Sequence, residues 1–524
     1  MHRRQLLAMG ASLCLPSIAR ASAASTLKFM PLADPNVLDP HWTTAYPTRT
    51  HGYMVFDTLY GVDINFRASP QMLAGHVVEN DGRRWQLTLR PGLAWHDGDP
   101  VLARDCVASI RRWATNDPFG QALMNATDEL SATDDKTIVF RLKWPFPLLP
   151  TALGISNFMP AMMPERLAKT PANQKIESMV GSGPFRFKAD ERVPGSLVAY
   201  ERFAGYVPNP AGEPDWTAGP KIARLDRVEW WTVPDAASAA AALQTGERDW
   251  WYYAPADLLP LLRGNPNVTV AVQDPNGQIP FLRMNFLHPP FSNVAIRQAV
   301  LRAVRQSDFM AAVAGSDRDA WRDHVGIFPV GSPWASDVGL DASPGKTDLA
   351  QLRADVVAAG YRGEPVVLLA PADPAEFRSM SDIAADTMRQ IGLNVDYQAM
   401  DFATFVLRRA KREPPEQGGW SAWIANPGAV DGFSPAAAPP LRGNGAKSWY
   451  GWPDVPSIEA LRDQWLRSTD PAEQHRLTGE IQRVALQQAM IVPLGQYRQY
   501  TAYRSNITGV LQGFPVFWNV AKQA

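Results

Sequence analysis

The sequence predicts an α/β protein with more than one lobe. Three observations lead there. The chain has 524 residues, whereas single hydrophobic cores stop growing near about 250–300 residues. Short apolar runs alternate with helical patterns: VVLLA from Val366 reads as a buried strand, and SDIAADTMRQIGLNVDY from Ser381 as helix, glycine stop and strand. No internal repeat, no long low-complexity tract and no apolar run of membrane-spanning length follows residue 25.

Composition narrows the function classes. Hydrophobic residues make up 46% and charged residues 20%, ordinary for a globular protein, and the formal net charge is −1. Near-neutrality leaves no footprint for nucleic acid and no polybasic face for anionic lipid. The 18 Trp belong either to large cores or to an aromatic-lined cleft, and composition does not choose.

The elements follow in order. Residues 1–23 read as an export signal: Arg3-Arg4, an apolar stretch from Leu6 to Ile18, then Ala21-Ser22-Ala23, which fits the A-x-A cleavage rule. RRQLL resembles a twin-arginine signal, but His2 stands where Ser or Thr is usual, so the general secretory route stays open. Leu13 precedes Cys14 where lipoproteins carry a small residue, so a soluble product is expected. Cleavage removes three Arg and no acids, leaving a net charge of −4. Cys106 is then the single cysteine, expected as a buried structural thiol in the apolar face VASIRRW. TLKFMPL from Thr26 is a first strand, and a helix is expected from about Arg49 to Leu59.

Trp85 to Trp113, WQLTLRPGLAWHDGDPVLARDCVASIRRW, is the most informative stretch. Gln86, Thr88 and Arg90 alternate with Leu87 and Leu89, the period of a half-buried strand. Pro91-Gly92 stops it, and Asp97-Gly98-Asp99-Pro100 makes a second turn. A helix begins near Ala103 with Val107, Ile110 and Trp113 facing inward. Further on, VGSGPFRFK is a Gly-hinged strand, Pro234 to Thr245 is an Ala-rich helix capped by Asp235, and GERDWWYYAP follows. IPFLRMNF is a strand, Asn293 caps a helix from Val294, and Ser457 to Ala489 carries two helices broken near Pro471.

The segment from Leu87 to Cys106 closely resembles the signature of the family 5 extracytoplasmic solute-binding proteins, the peptide- and nickel-binding receptors of ABC importers. Their pattern is roughly F-x-L-R-x-G-x-x-F/W-H-D-G-x-P-h-x-A-x-D-V. VGSGPFRFK, YERFAGY, GERD, IPFLRMNFLHPPFSNVAIRQA and LAQLRADVVAAGY resemble further elements of the same family, so the resemblance covers essentially the whole mature chain. It implies a two-lobed periplasmic binding protein fold of type II with an extra subdomain, the lobes joined by two hinge segments. Residues 24–50, 180–277 and 491–524 would form lobe I, 51–179 its extra subdomain, and 278–490 lobe II. It also implies a periplasmic receptor, a peptide-like ligand, and a permease and ATPase as partners. No catalysis, cofactor or metal is expected, and a monomer is. His96 would be structural, its ring donating into the turn at Asp97-Gly98.

Site-like features carry competing readings. There is no G-x-S-x-G elbow and no H-E-x-x-H. GLDASPGKT at Gly339 has five residues between its Gly where a phosphate loop has four. The His are scattered without metal-ligand spacing. Paired carboxylates, the signature of a hydrolase, cannot be placed from sequence. WSAWIANPGAVDGF resembles W-x-G-D-x-x-D-P-D-N-F of the family's dipeptide receptors, whose first Asp pairs with the ligand's α-ammonium. Trp423 matches the Trp, Asn426 replaces that Asp, and Asp431 and Phe433 match the end; Trp420 lies just before. An uncharged Asn puts recognition of a free amino terminus in doubt, because an unpaired buried cation is very costly. Arg283 lies in the crossing strand opposite Leu282 and Met284, with Asn285 on its face; it faces either a ligand carboxylate or an interlobe ion pair. Of the run Trp250-Trp251-Tyr252-Tyr253 at most two can face a ligand, and Trp251 and Tyr253 are taken; Tyr46 is added by family position. A metal-chelate or opine-type receptor and a carboxylate-dependent hydrolase are the alternatives.

Overall fold

Strand Thr26–Met30 lies at the centre of an eight-stranded sheet that gathers distant parts of the chain. The computed structural model describes residues 25–343, 348–429 and 434–523, so the expected export signal lies outside the described residues. Thr26–Met30 pairs in parallel with Arg227–Trp231 on one side and with Trp250–Trp251 on the other. Gln496–Arg504 returns antiparallel and joins Trp250–Trp251 to the long strand Val268–Gln278. Amino-terminal, middle and carboxy-terminal segments therefore share one sheet.

A second, five-stranded sheet runs in the order Asn394–Met400, Pro365–Pro371, Ala422–Ala425, Phe281–Met284, Val492–Pro493. Its first two strands are parallel, joined by helix Ala375–Gln390, the crossover a parallel pair requires. The chain leaves the first sheet at Gln278 and enters the second at Phe281. It returns between Pro493 and Gln496. These crossings lie side by side, since Leu494 N–H donates to Pro280 O at 3.0 Å. A third link, unforeseen from sequence, is strand Trp321–Arg322, which pairs with Tyr497 and Gln496.

The signature segment builds a separate four-stranded antiparallel sheet, Leu73–Glu79, Arg84–Leu89, Thr137–Leu142, Thr127–Ala132. Trp85, Leu87 and Leu89 are buried and alternate with Gln86 and Thr88, as the period-two pattern requires. Helix Ala103–Asn116 buries Val107, Ile110 and Trp113. Asp105 ties its start together: the carboxylate accepts from Leu102 N at 2.9 Å, Glu165 N at 2.8 Å and the Trp95 indole at 3.3 Å. Cys106 is fully buried, and burial pushes its thiol up and out of reactive range.

Two local readings are corrected. The first helix is Tyr46–Val55, not Arg49 to Leu59, because Pro47 at its opening turn has the φ a helix start needs. His96 does not donate into its own turn. Its Nε2 lies 3.0 Å from Gly183 O and its Nδ1 accepts from Gly181 N at 3.4 Å. The signature is thereby fastened to VGSGPFRFK, whose glycines are required by crowding. A Cβ on Gly181 would sit 2.0 Å from Val55 O, and one on Gly183 2.6 Å from Met54 O.

Candidate functional site

Parallel strands leave a crevice beyond their carboxyl ends, where ligands of open α/β sheets bind. Here two such crevices face one another. From the first sheet come Leu32, two residues past Met30, and Tyr252-Tyr253, directly past Trp251. From the second come Glu376 past Pro371, Phe402 past Met400 and Asn426 past Ala425. They line a cavity partly open to solvent, whose empty space is about 1170 Å³ with that opening counted.

The wall on the second-sheet side is an aromatic ladder. Ring centroids are 5.5 Å apart for Phe377–Phe402, 5.7 Å for Phe402–Phe405, 5.4 Å for Phe405–Trp423 and 5.3 Å for Trp423–Trp449. All are tilted or edge-on, the geometry favoured by ring quadrupoles. Phe402, Phe405, Val406 and Arg409 follow the i, i+3, i+4, i+7 spacing of one helix face. The Arg409 guanidinium lies 4.9 Å from the Tyr450 ring centroid and 5.6 Å from that of Trp423, and its Nε is buried without a hydrogen-bond partner. Burial pulls its pKa down.

The other pole is acidic. Glu376 sits in the first turn of helix Ala375–Gln390 and is 7% exposed. Burial pushes its carboxyl up to about 7. Beyond its own backbone N–H, no donor among the described residues engages it. Burial first, and then the charge of Glu376, raises the Tyr253 and Tyr497 hydroxyls, which are hydrogen-bonded to each other. Tyr497 in turn accepts from Asn426 Nδ2 at 2.6 Å, while Asn426 Oδ1 is buried without a partner. Gln278 Nε2 donates to Gln499 Oε1 at 2.6 Å beside Tyr252. Tyr46 closes the rim: its hydroxyl accepts from Gly428 N at 2.5 Å and donates to Asn426 O at 3.4 Å.

Of the residues singled out from sequence, Tyr46, Tyr253, Trp423 and Asn426 line this cavity. Asp431 and Phe433 lie outside the described residues. Four others are placed elsewhere. Trp251 is the last strand residue and packs into an apolar cluster with Met30, Leu259 and Leu262; Tyr252 takes its place in the cavity beside the expected Tyr253. Arg283 is fully buried behind the ladder, donating to Tyr450 O at 2.6 Å, Pro440 O at 3.0 Å and Met490 O at 2.8 Å. It is not among the residues lining the cavity, and its Nη2 is buried without a hydrogen-bond partner. Asn285 donates to Trp420 O at 2.9 Å, and the buried Trp420 indole donates to Arg409 O at 3.1 Å. These three brace the wall from behind. Sequence reasoning missed Glu376 and Arg409. The signal for Arg409 was an apolar helical stripe ending in a cation, hidden in the basic run RRAKR.

Chemically the cavity can stack a flat or apolar body and neutralise one charge of each sign. Among its described lining residues Glu376 is the one carboxylate, so the acid pair a glycosidase-type hydrolase needs is not found there. Among the described residues no cluster of His, Cys, Asp and Glu could hold a metal, and no helix is long and apolar enough to cross a membrane.

The family model described as bacterial extracellular solute-binding proteins, family 5 Middle, matches residues 67–449. Over 522 residues the chain is 37% identical to the probable peptide ABC transporter periplasmic-binding protein y4tO of Sinorhizobium fredii, covering 98% of each chain. The structure is similar to the ABC transporter-associated periplasmic binding protein DppA from Helicobacter pylori in complex with peptide STSA. That likeness has a TM-score of 0.79 at 19% identity and covers 95% of this chain and 98% of the other. It is also similar to the PBP AgaA from A. tumefacien R10 in complex with agropinic acid, with a TM-score of 0.78 at 21% identity over 95% of this chain and 99% of the other.

Proposed function

The chain belongs to the bacterial extracellular solute-binding proteins of family 5, and from that membership we propose that it captures a small peptide or peptide-like solute between its lobes for an ABC importer. The fold is that of the two-lobed periplasmic binding proteins. The relative y4tO is named for peptide transport, which supports a peptide-like cargo. The observation that carries the reading is the cavity at facing strand ends, where an unpaired acid and an unpaired cation flank an aromatic wall. Such groups are costly to bury alone and gain most when a ligand supplies their counter-charges.

The protein acts in the periplasm, exported by residues 1–23, and performs no catalysis. The crossings at Ile279-Pro280 and Leu494-Gly495 let the lobes close on ligand as rigid bodies. The closed form presents the surface read by the permease and its ATPase. A thermal-shift screen of the mature protein against dipeptides and tripeptides tests this. A ligand present at about 100 times its Kd stabilises the fold by about 2.7 kcal/mol, which is readily seen. No shift with any peptide in the screen rejects the cargo assignment.

A further inference from the structure

The charged groups of the cavity are segregated. Glu376 stands beside Phe377 at one end of the aromatic ladder. Arg409 stands over Phe405, Trp423 and Tyr450 toward the other. They form no ion pair, and neither group's titration is influenced by the other. Around Glu376 the neighbours are acceptors or weak acids: Tyr252, Tyr253, Tyr497 and the unpartnered Asn426 Oδ1. Among the described residues Glu376 forms no ion pair; Arg49, which acts on Tyr252, does not act on Glu376. Two unpaired groups of opposite sign, Glu376 buried and Arg409 half-buried, held apart by an apolar wall, match a ligand with complementary charges.

Resting on the peptide-capture reading, we propose that the cavity is a two-pole receptor for small zwitterions with an apolar or aromatic body. Glu376 receives the cationic group, with Asn426 Oδ1 accepting one of its hydrogen bonds, and Arg409 receives the anionic group. The cation pole has thus moved from the loop position occupied by Asn426 to the first turn of helix Ala375–Gln390. The Arg409 fork can hold a carboxylate through two parallel hydrogen bonds.

The test uses the mature protein and three probes: the dipeptide Ala-Phe, its N-acetyl form, which lacks the cation, and its C-terminal amide, which lacks the anion. Calorimetry on wild type is expected to show at least a roughly 10-fold loss for either modified probe, as buried charges lose their partners. Glu376→Gln should erase the preference for the free amine and keep the preference for the free carboxylate; Arg409→Gln should do the converse, and Arg409→Lys should retain it. Repeating the Ala-Phe titration at pH 7 in buffers of different ionisation enthalpy should reveal release of roughly half a proton as Glu376 is forced to ionise. Melting curves check that each variant is folded. Full charge preference retained in either Gln variant overturns the two-pole assignment alone. No binding of any probe to wild type instead rejects the peptide-capture reading, and the proposal with it.

Discussion

Asn426 spends its side-chain amide on the Tyr497 hydroxyl, 2.6 Å away, and leaves its carbonyl oxygen buried and unpartnered. The first residue leads the loop after strand Ala422–Ala425 of the second sheet, and the second belongs to strand Gln496–Arg504 of the first. The bond therefore joins the two sheets beside the cavity. It fixes Asn426 as an acceptor toward a ligand but gives it no charge. Replacing it tests whether that absence limits the cargo. In Asn426→Asp the Tyr497 hydroxyl can reverse and donate to the new carboxylate, so the bridge survives. Calorimetry with ordinary dipeptides is expected to show unchanged or tighter binding. Abolished binding would mean that the amide itself, not the missing charge, defines the site.

Glu376 makes stability depend on pH in an unusual direction. Its folded carboxyl titrates near 7, above its ordinary 4.5, because burial disfavours the ion. Between these values the folded state keeps a proton that the unfolded state has lost, so stability falls as pH rises through this window. The loss amounts to about 3 kcal/mol by pH 8. Denaturant unfolding of wild type and Glu376→Gln should therefore diverge, with the variant more stable at pH 8 and nearly equal at pH 4. Equal stability of the two at pH 8 would refute the assignment.

Much of the fold was legible because it is written locally. The alternation over Arg84–Leu89 and the side-chain caps Asp235 and Asn293 each depend on neighbours within a few residues. The site was legible only where it sits on such signals or on the family's loop, as at Trp423, Asn426, Tyr253 and Tyr46. Trp251 was misplaced because a one-residue uncertainty in where a strand ends moves a side chain to the opposite face. Arg283 was misplaced because alternation says which face it takes, not what covers that face. The carbonyls it meets lie 157 to 207 residues away in sequence. Glu376 carried no periodic signal at all, since the groups its charge acts on, Tyr253 and Tyr497, come from distant parts of the chain.

Arg283 is a fastener, and its removal should be felt as lost stability. Arg283→Ala deletes donors to three carbonyls and leaves a void beneath Trp449, whose ring lies 5.6 Å from the guanidinium. Unsatisfied buried acceptors and the cavity together should cost about 3–5 kcal/mol. A melting temperature close to wild type, with binding selectively lost, would return Arg283 to the ligand.

Tyr46 offers the most direct handle on lobe closure. Its ring opens helix Tyr46–Val55, packed 4.5 Å from the Arg49 guanidinium. Its hydroxyl reaches across to Gly428 N and Asn426 O. In Tyr46→Phe the packing stays and the two cross-lobe bonds go. A buried hydrogen bond contributes about 1 kcal/mol net, so the closed state should lose about 1–2 kcal/mol relative to the open one. Since ligand is held in the closed state, its apparent affinity falls with the closed population, by at most roughly 5- to 30-fold. Global unfolding should barely change, because the ring's packing and the buried apolar clusters are untouched. Small-angle scattering of the unliganded variant should show a larger radius of gyration, with ligand restoring the compact value. Wild-type affinity in Tyr46→Phe, with no change in scattering, would show that closure does not depend on this rim contact.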